Sequence, residues 1–301
     1  VSAEDVESDS MKISGLVCKY FSPNYSRPSA EGDIQSYFET NEVVGISDVD
    51  TRAIVQHIRN KGAMNAIISS EELDVNALST KLKEVPSMEG LELSSKVCTK
   101  EPFFFGDENA QHKVAVLDIG VKKNILRCLS ERSCYLKVFP MDTSFDDIKK
   151  WNPDGFMISN GPGDPSVMPQ VSETVTKMID SGIPVFGICL GHQVMAISQG
   201  ISTFKMHNGH RGINHPIKNL VTGKCEVTSQ NHGFVVNRED CENHPEMEIT
   251  HVHLNDNTVA GLKLKGRPVF SVQYHPESSP GPNDSRYLFD EFVDSLKPVH
   301  A

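Results

Sequence analysis

The sequence lacks the features that mark membrane, secreted and nucleic-acid-binding proteins. No apolar run approaches the ~20 residues that a helix needs to span a bilayer, and no basic-then-apolar signal segment stands at the start. Basic residues are in the minority, since 29 Lys and Arg stand against 40 Asp and Glu, and the formal net charge is −11. Without a basic cluster the chain has no electrostatic footprint for DNA, RNA or an anionic membrane. We therefore expect no nucleic acid and no membrane among its partners.

The sequence also lacks paired cysteines. Its seven cysteines are odd in number and scattered, which does not fit a disulfide framework. This pattern favours free thiols in a reducing cytoplasm, and a cytoplasmic protein is what we expect. The seven are Cys18, Cys98, Cys128, Cys134, Cys189, Cys225 and Cys241.

A nucleotide-phosphate fingerprint is missing as well. The glycine-rich run at residues 160–165 does not have the spacing of a P-loop or a dinucleotide-binding motif. Beside a nucleophile, such a turn can instead offer backbone N–H groups to a developing oxyanion. Residues 230–234 offer amide, imidazole and aromatic groups at a second turn. Each run, considered alone, is equally compatible with a plain tight turn.

What the sequence does contain is typical of a globular α/β protein. Its 301 residues are 38% hydrophobic and 23% charged, enough for two domains or one large one. Strand-like and helix-like segments alternate through the first hundred residues, and residues 95–112 break that pattern. We predict an N-terminal α/β domain over residues 1–105 and a second domain over residues 112–301. Phe103–Phe105 are too apolar for a free linker and should pack on one of the two.

In the second domain, strand-like and helix-like segments alternate regularly. From Lys113 short apolar strands alternate with helices, which predicts a mostly parallel sheet flanked by helices on both faces. Ligands of such sheets bind beyond the carboxyl ends of the strands, so Gly120, residues 160–165 and Cys189 should gather at one edge. After residue 200, short strands with turns predict an antiparallel extension.

Residues 183–198 read as a strand, a tight turn and a helix, with Cys189 in the turn between Gly187 and Gly191. Gly-x-Cys-x-Gly is the thiol version of the nucleophile elbow, in which the nucleophile is exposed on a sharp strand-to-helix turn. A Cβ at either glycine would crowd the turn. The start of a helix beside the sulfur favours the thiolate. The turn alone is equally compatible with a buried core cysteine.

A second constellation, at residues 268–277, supplies what a thiol nucleophile needs. The alternation of this strand puts His275 on its polar face, and Pro276 keeps His275 extended. Glu277, two residues on, can return to the same side and fix the tautomer of His275 as a base for Cys189. Alone, a histidine before proline is equally a surface-loop residue. Together with the elbow, it predicts a Cys–His–Glu triad.

Three histidines at spacings of three and five are candidate zinc ligands. His207, His210 and His215 have no neighbouring cysteine or carboxylate to complete a set. We therefore expect no metal here, and a polar, glycine-bearing loop near the mouth of the site.

These motifs resemble the class I, or triad, glutamine amidotransferases. The resemblance is carried by residues 187–193, 160–165 and 275–277. More narrowly, the sequence is similar to the family of small, glutamine-hydrolysing chains of carbamoyl phosphate synthetases, over about residues 13–295. The narrower likeness rests on residues 46–52, 61–65, 118–127, 160–165, 208–216 and 230–234.

The resemblance implies a reaction and a set of roles. Cys189 would attack the side-chain amide of L-glutamine, His275 would act as base and then acid, and Glu277 would orient His275. A glutamyl thioester would form and release ammonia before water releases glutamate. Backbone N–H groups of Leu190 and of residues 161–163 would face the oxyanion. The residues implied to bind glutamine are Gly161, Gly163, Leu190, Gln193, Asn231, Gly233 and Phe234.

The resemblance also implies a partner, which would be a large synthetase subunit. Ammonia would pass through a tunnel to that subunit, where ATP, Mg²⁺ and bicarbonate yield carbamoyl phosphate for arginine and pyrimidine biosynthesis. This chain would carry no cofactor of its own. Family members usually begin with a further β-rich segment that includes a serine touching glutamine. No residues here match that opening, and Val1 falls well inside the part of the family that the resemblance covers, so we expect either a fragment or a chain whose start was not retained.

Two other readings stay open from the residues. A free-standing γ-glutamyl hydrolase can use the same Gly-x-Cys-x-Gly and His-x-Glu geometry. A non-catalytic regulatory subunit is the third reading, against which the intact Cys189, His275 and Glu277 argue.

Overall fold

The computed structural model describes residues 1–3, 6–8 and 10–296, so residues 297–301 of the predicted second domain lie outside the described part. The chain forms two compact units, Val1–Ser87 and Met88–Ala301. No helix within the described ranges combines the length and the hydropathy that a bilayer span requires.

The described residues of the first unit form two short strands and three α-helices. The strands β1 and β2 run parallel, with Gly15 opposite Val44. Asp33 accepts a hydrogen bond from the N–H of Ser36 at 2.8 Å and so begins α1. Residues 65–68 form no strand, and the side chain of Asn65 donates to two carbonyl oxygens, those of Val85 and Pro86. The elements are β1 (Gly15–Val17), α1 (Ile34–Thr40), β2 (Val44–Ile46), α2 (Thr51–Lys61) and α3 (Val75–Lys83).

The second unit is built on a ten-stranded sheet in the order β3-β5-β4-β6-β7-β12-β11-β10-β8-β9. Its strands are β3 (Phe103–Phe105), β4 (His112–Asp118), β5 (Cys134–Pro140), β6 (Gly155–Ile158), β7 (Val185–Ile188), β8 (Thr203–Asn219), β9 (Cys225–Val236), β10 (Met247–His253), β11 (Val259–Leu264) and β12 (Val269–Val272). Its helices are α4 (Lys123–Ser130), α5 (Phe145–Lys149), α6 (Pro169–Asp180), α7 (Leu190–Ser198), α8 (Arg238–Asn243) and α9 (Tyr287–Ser295).

The sheet has a parallel half and an antiparallel half. Strands β5, β4, β6, β7 and β12 pair in parallel, whereas β12, β11, β10, β8 and β9 pair antiparallel in that order. The predicted parallel sheet with an antiparallel extension is confirmed. The expectation of a loop at residues 207–215 was wrong, because these residues lie within β8, a strand of 17 residues. This strand pairs with β9, and the register of the pairing shifts at two places, between Lys205 and His210 and between Gly212 and His215.

Helices cover both faces of the parallel half. Alternate residues of β4 point to opposite sides, so that Leu117 belongs to one core cluster and Val116 to the other. Residues of α6 and α7 fill the first cluster, and residues of α4 and α9 fill the second. This two-faced burial accounts for the continuous apolar runs of the strands.

The division between the units comes earlier in the chain than the predicted boundary at residues 105–112. Asp164 links to the segment after Ser87, because its carboxylate accepts from the N–H of Gly90 at 2.9 Å and its N–H donates to Leu91 O at 3.0 Å. Phe103–Phe105 form β3, an antiparallel edge strand on β5. Residues 88–105 therefore belong to the second unit, and the expected packing of the three phenylalanines on one domain is confirmed.

Candidate active site

Cys189 lies between β7, which ends at Ile188, and α7, which begins at Leu190. Its backbone has φ +54° and ψ −102°, a conformation that costs a non-glycine residue about 1–3 kcal/mol and that clusters at functional sites. Its N–H donates to the carbonyl of Val272 at 2.8 Å, which ties the elbow to β12. The predicted strand–turn–helix around this cysteine is confirmed.

The two glycines of the elbow permit this turn for a physical reason. A Cβ at Gly191 would lie 2.3 Å from the carbonyl oxygen of Ile158, and one at Gly187 would lie 2.4 Å from Sδ of Met195. Because these two positions carry no side chain, Gly191 can lie close to the backbone of β6, and Gly187 can lie close to the side chain of Met195 on α7. A side chain at either glycine would therefore crowd the turn, as expected.

His275 and Glu277 form a buried hydrogen-bonded pair. Nδ1 of His275 lies 2.7 Å from Oε1 of Glu277, and the two residues are 9% and 0% exposed. Strand β12 ends at Val272, earlier than predicted, but the N–H of His275 donates to Ser229 O at 2.9 Å and keeps the chain extended along β9. The predicted return of Glu277 to the side of His275 is confirmed.

The charges of this pair are strongly coupled. Burial opposes the protonated form of His275, but the charges and hydrogen bonds of Glu277 and Cys189 outweigh it and raise the pKa of His275 to about 10. Burial likewise opposes ionisation of Glu277, yet the attraction of His275 and Lys122 holds its pKa below the usual value. At neutral pH the pair is an imidazolium and a carboxylate, and an imidazolium beside a thiol favours the thiolate.

Two residues that sequence reasoning missed hold Glu277 in place. Nζ of Lys122 lies 3.3 Å from Oε1 of Glu277 and also donates to Ser278 O, while the side chain of Asn124 donates to Glu277 O. Both come after β4, at the same sheet edge as the elbow. Residues 118–127 carried part of the resemblance, but no local pattern indicated that this lysine would reach a carboxylate far along the chain.

The loop at residues 160–165 packs against the elbow. A Cβ at Gly161 would lie 1.9 Å from the carbonyl oxygen of Ile119 and 2.8 Å from Cδ2 of Leu190. Gly163, at φ +101°, faces the backbone of Leu91 and Leu93 instead. The structure thus brings Gly161 beside Leu190. Gly163 instead allows the loop to pack closely against the backbone of residues 91–93.

The four other candidates for glutamine binding lie on α7 and β9. Nε2 of Gln193 donates to Phe234 O at 2.6 Å and to Oε1 of Gln273 at 3.0 Å, so its amide hydrogens are used within the protein. Nε2 of Gln273, a residue not predicted from sequence, lies 3.8 Å from Sγ of Cys189. The carbonyl of Asn231 lies 4.0 Å from the same sulfur. Gly233 lies between Asn231 and Phe234 on β9 and is half-buried.

The structure brings together only two of the three histidines that the sequence offers as zinc ligands. His210 and His215 lie together with His253, whereas His207 is exposed and outside this cluster. His253 and the nearby Asp256 were not considered from sequence, because they lie far along the chain.

Comparison with known proteins gives two family matches. Residues 115–295 match the family Glutamine amidotransferase class-I, and residues 1–68 match Carbamoyl-phosphate synthase small chain, CPSase domain. The chain is 43% identical to the "Carbamoyl phosphate synthase small chain" of Synechococcus sp. over 97% of its own length and 77% of that protein. It is 44% identical to the protein of the same name from Staphylococcus epidermidis, over 99% of its length and 80% of the relative.

A solved structure agrees in fold. A putative GMP synthase protein from Thermoplasma acidophilum superposes with a TM-score of 0.53 at 23% identity, covering 62% of this chain and 94% of that one. At this identity the similarity bears on the fold alone.

Proposed function

The chain belongs to the family of carbamoyl phosphate synthase small chains, and on this basis we propose that it hydrolyses L-glutamine and supplies the ammonia to a synthase. One observation carries the proposal: Cys189 on its strained turn stands with a buried, hydrogen-bonded His275–Glu277 pair, and the charges of the site raise the pKa of His275. This arrangement activates a sulfur nucleophile and stores the proton that a leaving amine needs.

In the proposed reaction the sulfur of Cys189 attacks the carboxamide carbon of glutamine and the carbonyl electron pair moves to oxygen. When the intermediate collapses, the C–N bond breaks and His275 gives its proton to the departing nitrogen, so ammonia leaves and a thioester remains. Neutral His275 then takes a proton from water as the oxygen attacks the thioester carbon. Collapse of the second intermediate breaks the C–S bond, frees glutamate and restores the thiolate beside the imidazolium.

The charges of the site favour both halves of this cycle. While the sulfur of Cys189 is ionised, its negative charge contributes to the high pKa of His275 and stabilises the imidazolium. Acylation removes that charge, while burial continues to oppose protonation. In the thioester the pKa of His275 therefore falls, and the neutral imidazole is available to accept the proton of the attacking water.

We propose the N–H of Leu190 as an oxyanion donor, together with the backbone at residues 161–163. The neighbouring N–H of Gly191 is engaged by Ser159 O at 3.0 Å, so it is not available to substrate. Leu190 opens α7 directly after the nucleophile, where the free N–H groups and the positive end of the helix dipole lie.

We propose that glutamine is bound by Gly161, Gly163, Leu190, Asn231, Gly233 and Phe234, with Gln193 as a positioning residue. The backbone of Asn231 is close to the sulfur, and Gly161 is packed against Leu190, which supports their place at the substrate. Gln193 ties α7 to the carbonyl of Phe234, and both of its amide hydrogens are engaged there and at Gln273.

The relatives' name, small chain, supports a larger partner subunit. We propose that ammonia is channelled to this partner, which binds ATP and Mg²⁺ and makes carbamoyl phosphate for arginine and pyrimidine synthesis, with no cofactor on this chain. The seven cysteines are free, as expected for a reducing compartment, and a cytoplasmic location stays a prediction.

The proposal is tested with the complex of this chain and its large subunit. Cys189→Ala should abolish carbamoyl phosphate synthesis from glutamine and leave synthesis from ammonia intact, because ammonia bypasses the thioester. Equal loss of both activities would contradict the assignment.

The other two readings make different predictions. Hydrolysis of a folylpolyglutamate by this chain without any partner would favour a free-standing γ-glutamyl hydrolase. Failure of a glutamine-analogue alkylator to label Cys189 in the complex would favour a non-catalytic regulatory role.

A further inference from the structure

Three histidines with no part in the proposed reaction lie together in the antiparallel half of the sheet. His210 and His215 belong to β8, and His253 is the last residue of β10. One ring nitrogen of each lies within 4.8 Å of those of the other two. The rings of His210 and His253 stack 4.0 Å apart at 15°, and these residues are 7% and 2% exposed.

A single carboxylate fixes two of these rings. Oδ2 of Asp256 lies 2.8 Å from Nε2 of His210, and Oδ1 of Asp256 lies 3.2 Å from Nδ1 of His253. Asp256 is itself held, since Oδ1 accepts from the N–H and hydroxyl of Thr258 at 3.1 and 2.9 Å. A carboxylate that accepts one ring N–H and leaves the other nitrogen free is the usual outer partner of a metal-binding histidine.

Apart from a hydrogen bond between His215 and the backbone of Arg211, the remaining ring nitrogens face one another or have no partner. Nδ1 of His215 lies 3.0 Å from Nε2 of His253, so two ring nitrogens face each other. Nδ1 of His210 is buried and finds no hydrogen-bond partner among the described residues. A buried polar atom without a partner is unfavourable, and a bound cation would satisfy it together with the facing pair.

We propose that His210, His215 and His253 bind one divalent transition-metal ion, Zn²⁺ being the best match, with Asp256 orienting two of the ligands. Imidazole nitrogen suits Zn²⁺, Cu²⁺ and Ni²⁺ and does not suit Mg²⁺ or Ca²⁺. Tetrahedral ligands 2.0–2.1 Å from the ion lie about 3.3 Å from one another, so the ring nitrogens, which lie within 4.8 Å, must draw together. Because an ion lies in the plane of each imidazole that binds it, one of the stacked rings of His210 and His253 must also rotate. His215 is half-buried, which leaves its side of the cluster open to an entering ion and to a water molecule as the fourth ligand.

The ligand set differs from the one considered from sequence. From sequence alone, His207, His210 and His215 have no neighbouring carboxylate to complete a metal site, which is why no metal is expected from them. The structure replaces His207 by His253 and brings in Asp256. His207 is exposed on the same strand, which makes it a matched control for the loss of one histidine.

The ion would join β8 to the turn after β10. His210 is paired in register with His232 of β9, next to Asn231, whose carbonyl contacts Cys189. Bound metal should therefore raise the thermal midpoint of the larger unit by tying together the strands that support the site.

The test uses the full chain, freed of metal with a chelator and titrated with Zn²⁺ against a chromophoric competitor. Cys189→Ala is titrated in parallel, because a reactive thiol beside His275 is another place for zinc. One Zn²⁺ per chain is expected in the wild type, in Cys189→Ala and in His207→Asn. His215→Asn and His253→Asn should lose this ion, and Asp256→Asn should bind it about 10- to 100-fold more weakly.

Two further measurements separate binding from misfolding. The far-UV circular dichroism of each variant should match the wild type, and Zn²⁺ should raise the thermal midpoint of the wild type and His207→Asn but not of His253→Asn. Co²⁺ should give the visible spectrum of a tetrahedral site that lacks sulfur. Two results in variants would overturn the proposal: stoichiometric binding that survives in a folded His253→Asn, Cys189→Ala double variant, and binding that disappears in Cys189→Ala or His207→Asn. Absence of binding in the wild type would overturn it as well. No readout depends on glutaminase activity.

Discussion

Nζ of Lys122 and Nδ1 of His275 contact the same oxygen, Oε1 of Glu277, at 3.3 and 2.7 Å. A buried carboxylate thus faces two cations, one of which is the acid and base of the proposed reaction. Lys122 lowers the pKa of Glu277 and keeps it ionised when His275 loses its proton.

Lys122→Met should therefore narrow the pH range of activity. Without this cation the pKa of Glu277 rises, and kcat/KM for glutamine should begin to fall at a higher pH on the acidic side. A pH profile of the complex measures this shift. Lys122→Arg should restore much of the range, and Lys224→Met, at an exposed turn, should not alter it. Identical profiles for Lys122→Met and the wild type would disprove the role.

Glu277→Gln should lower kcat by about 10²- to 10⁴-fold, the span of general acid–base contributions. It should also lower the pKa of His275, because burial remains while the attraction of the carboxylate is lost. An NMR titration of labelled histidines follows this pKa, which is about 10 in the wild type. An unchanged His275 titration in the variant would show that Glu277 is not its partner.

The raised pKa of His275 has a consequence for stability. Since the folded pKa lies above the ordinary value of 6.5, the contribution of His275 to the free energy of unfolding is fully present below pH 6.5. It is lost as pH rises toward 10. In urea unfolding, the stability advantage of the wild type over His275→Asn should shrink across this window. His57→Asn, at an exposed position, serves as the control. A difference in stability between the wild type and His275→Asn that grows as pH rises would contradict the prediction.

Gly191→Ala should disturb both stability and activity. Its Cβ would lie 2.3 Å from the carbonyl oxygen of Ile158, a backbone atom that cannot move aside cheaply. We expect a loss of about 1–3 kcal/mol in the free energy of unfolding and a displaced Cys189. Gly32→Ala, which would meet no atom within 4 Å, is the control for denaturant titrations. Wild-type stability in Gly191→Ala would contradict the steric account.

Sequence patterns predicted the parts of this structure that depend on local order. The elbow at Cys189 and the pair His275–Glu277 follow from short spacings, and the parallel half of the sheet follows from alternating apolar strands and helices. Lys122 and Gln273 escaped prediction, because their partners lie far away in the chain and come close only when the strands pair. The boundary between the units was placed late for the same reason, since residues 88–105 belong to the second unit through hydrogen bonds to distant residues. His253 and Asp256 join His210 and His215 only through the order of strands β10 and β8.

The measurement that bears most directly on the central claim is the capture of the acyl-enzyme. The complex is mixed with isotopically labelled glutamine, quenched with acid at short times and digested, and the peptide containing residue 189 is examined by mass spectrometry. The account predicts one glutamyl group in thioester linkage on Cys189, at a level that rises and falls with turnover and is absent from Cys189→Ala. Steady glutamine hydrolysis with no adduct on Cys189, or with the adduct on a different residue, would contradict it.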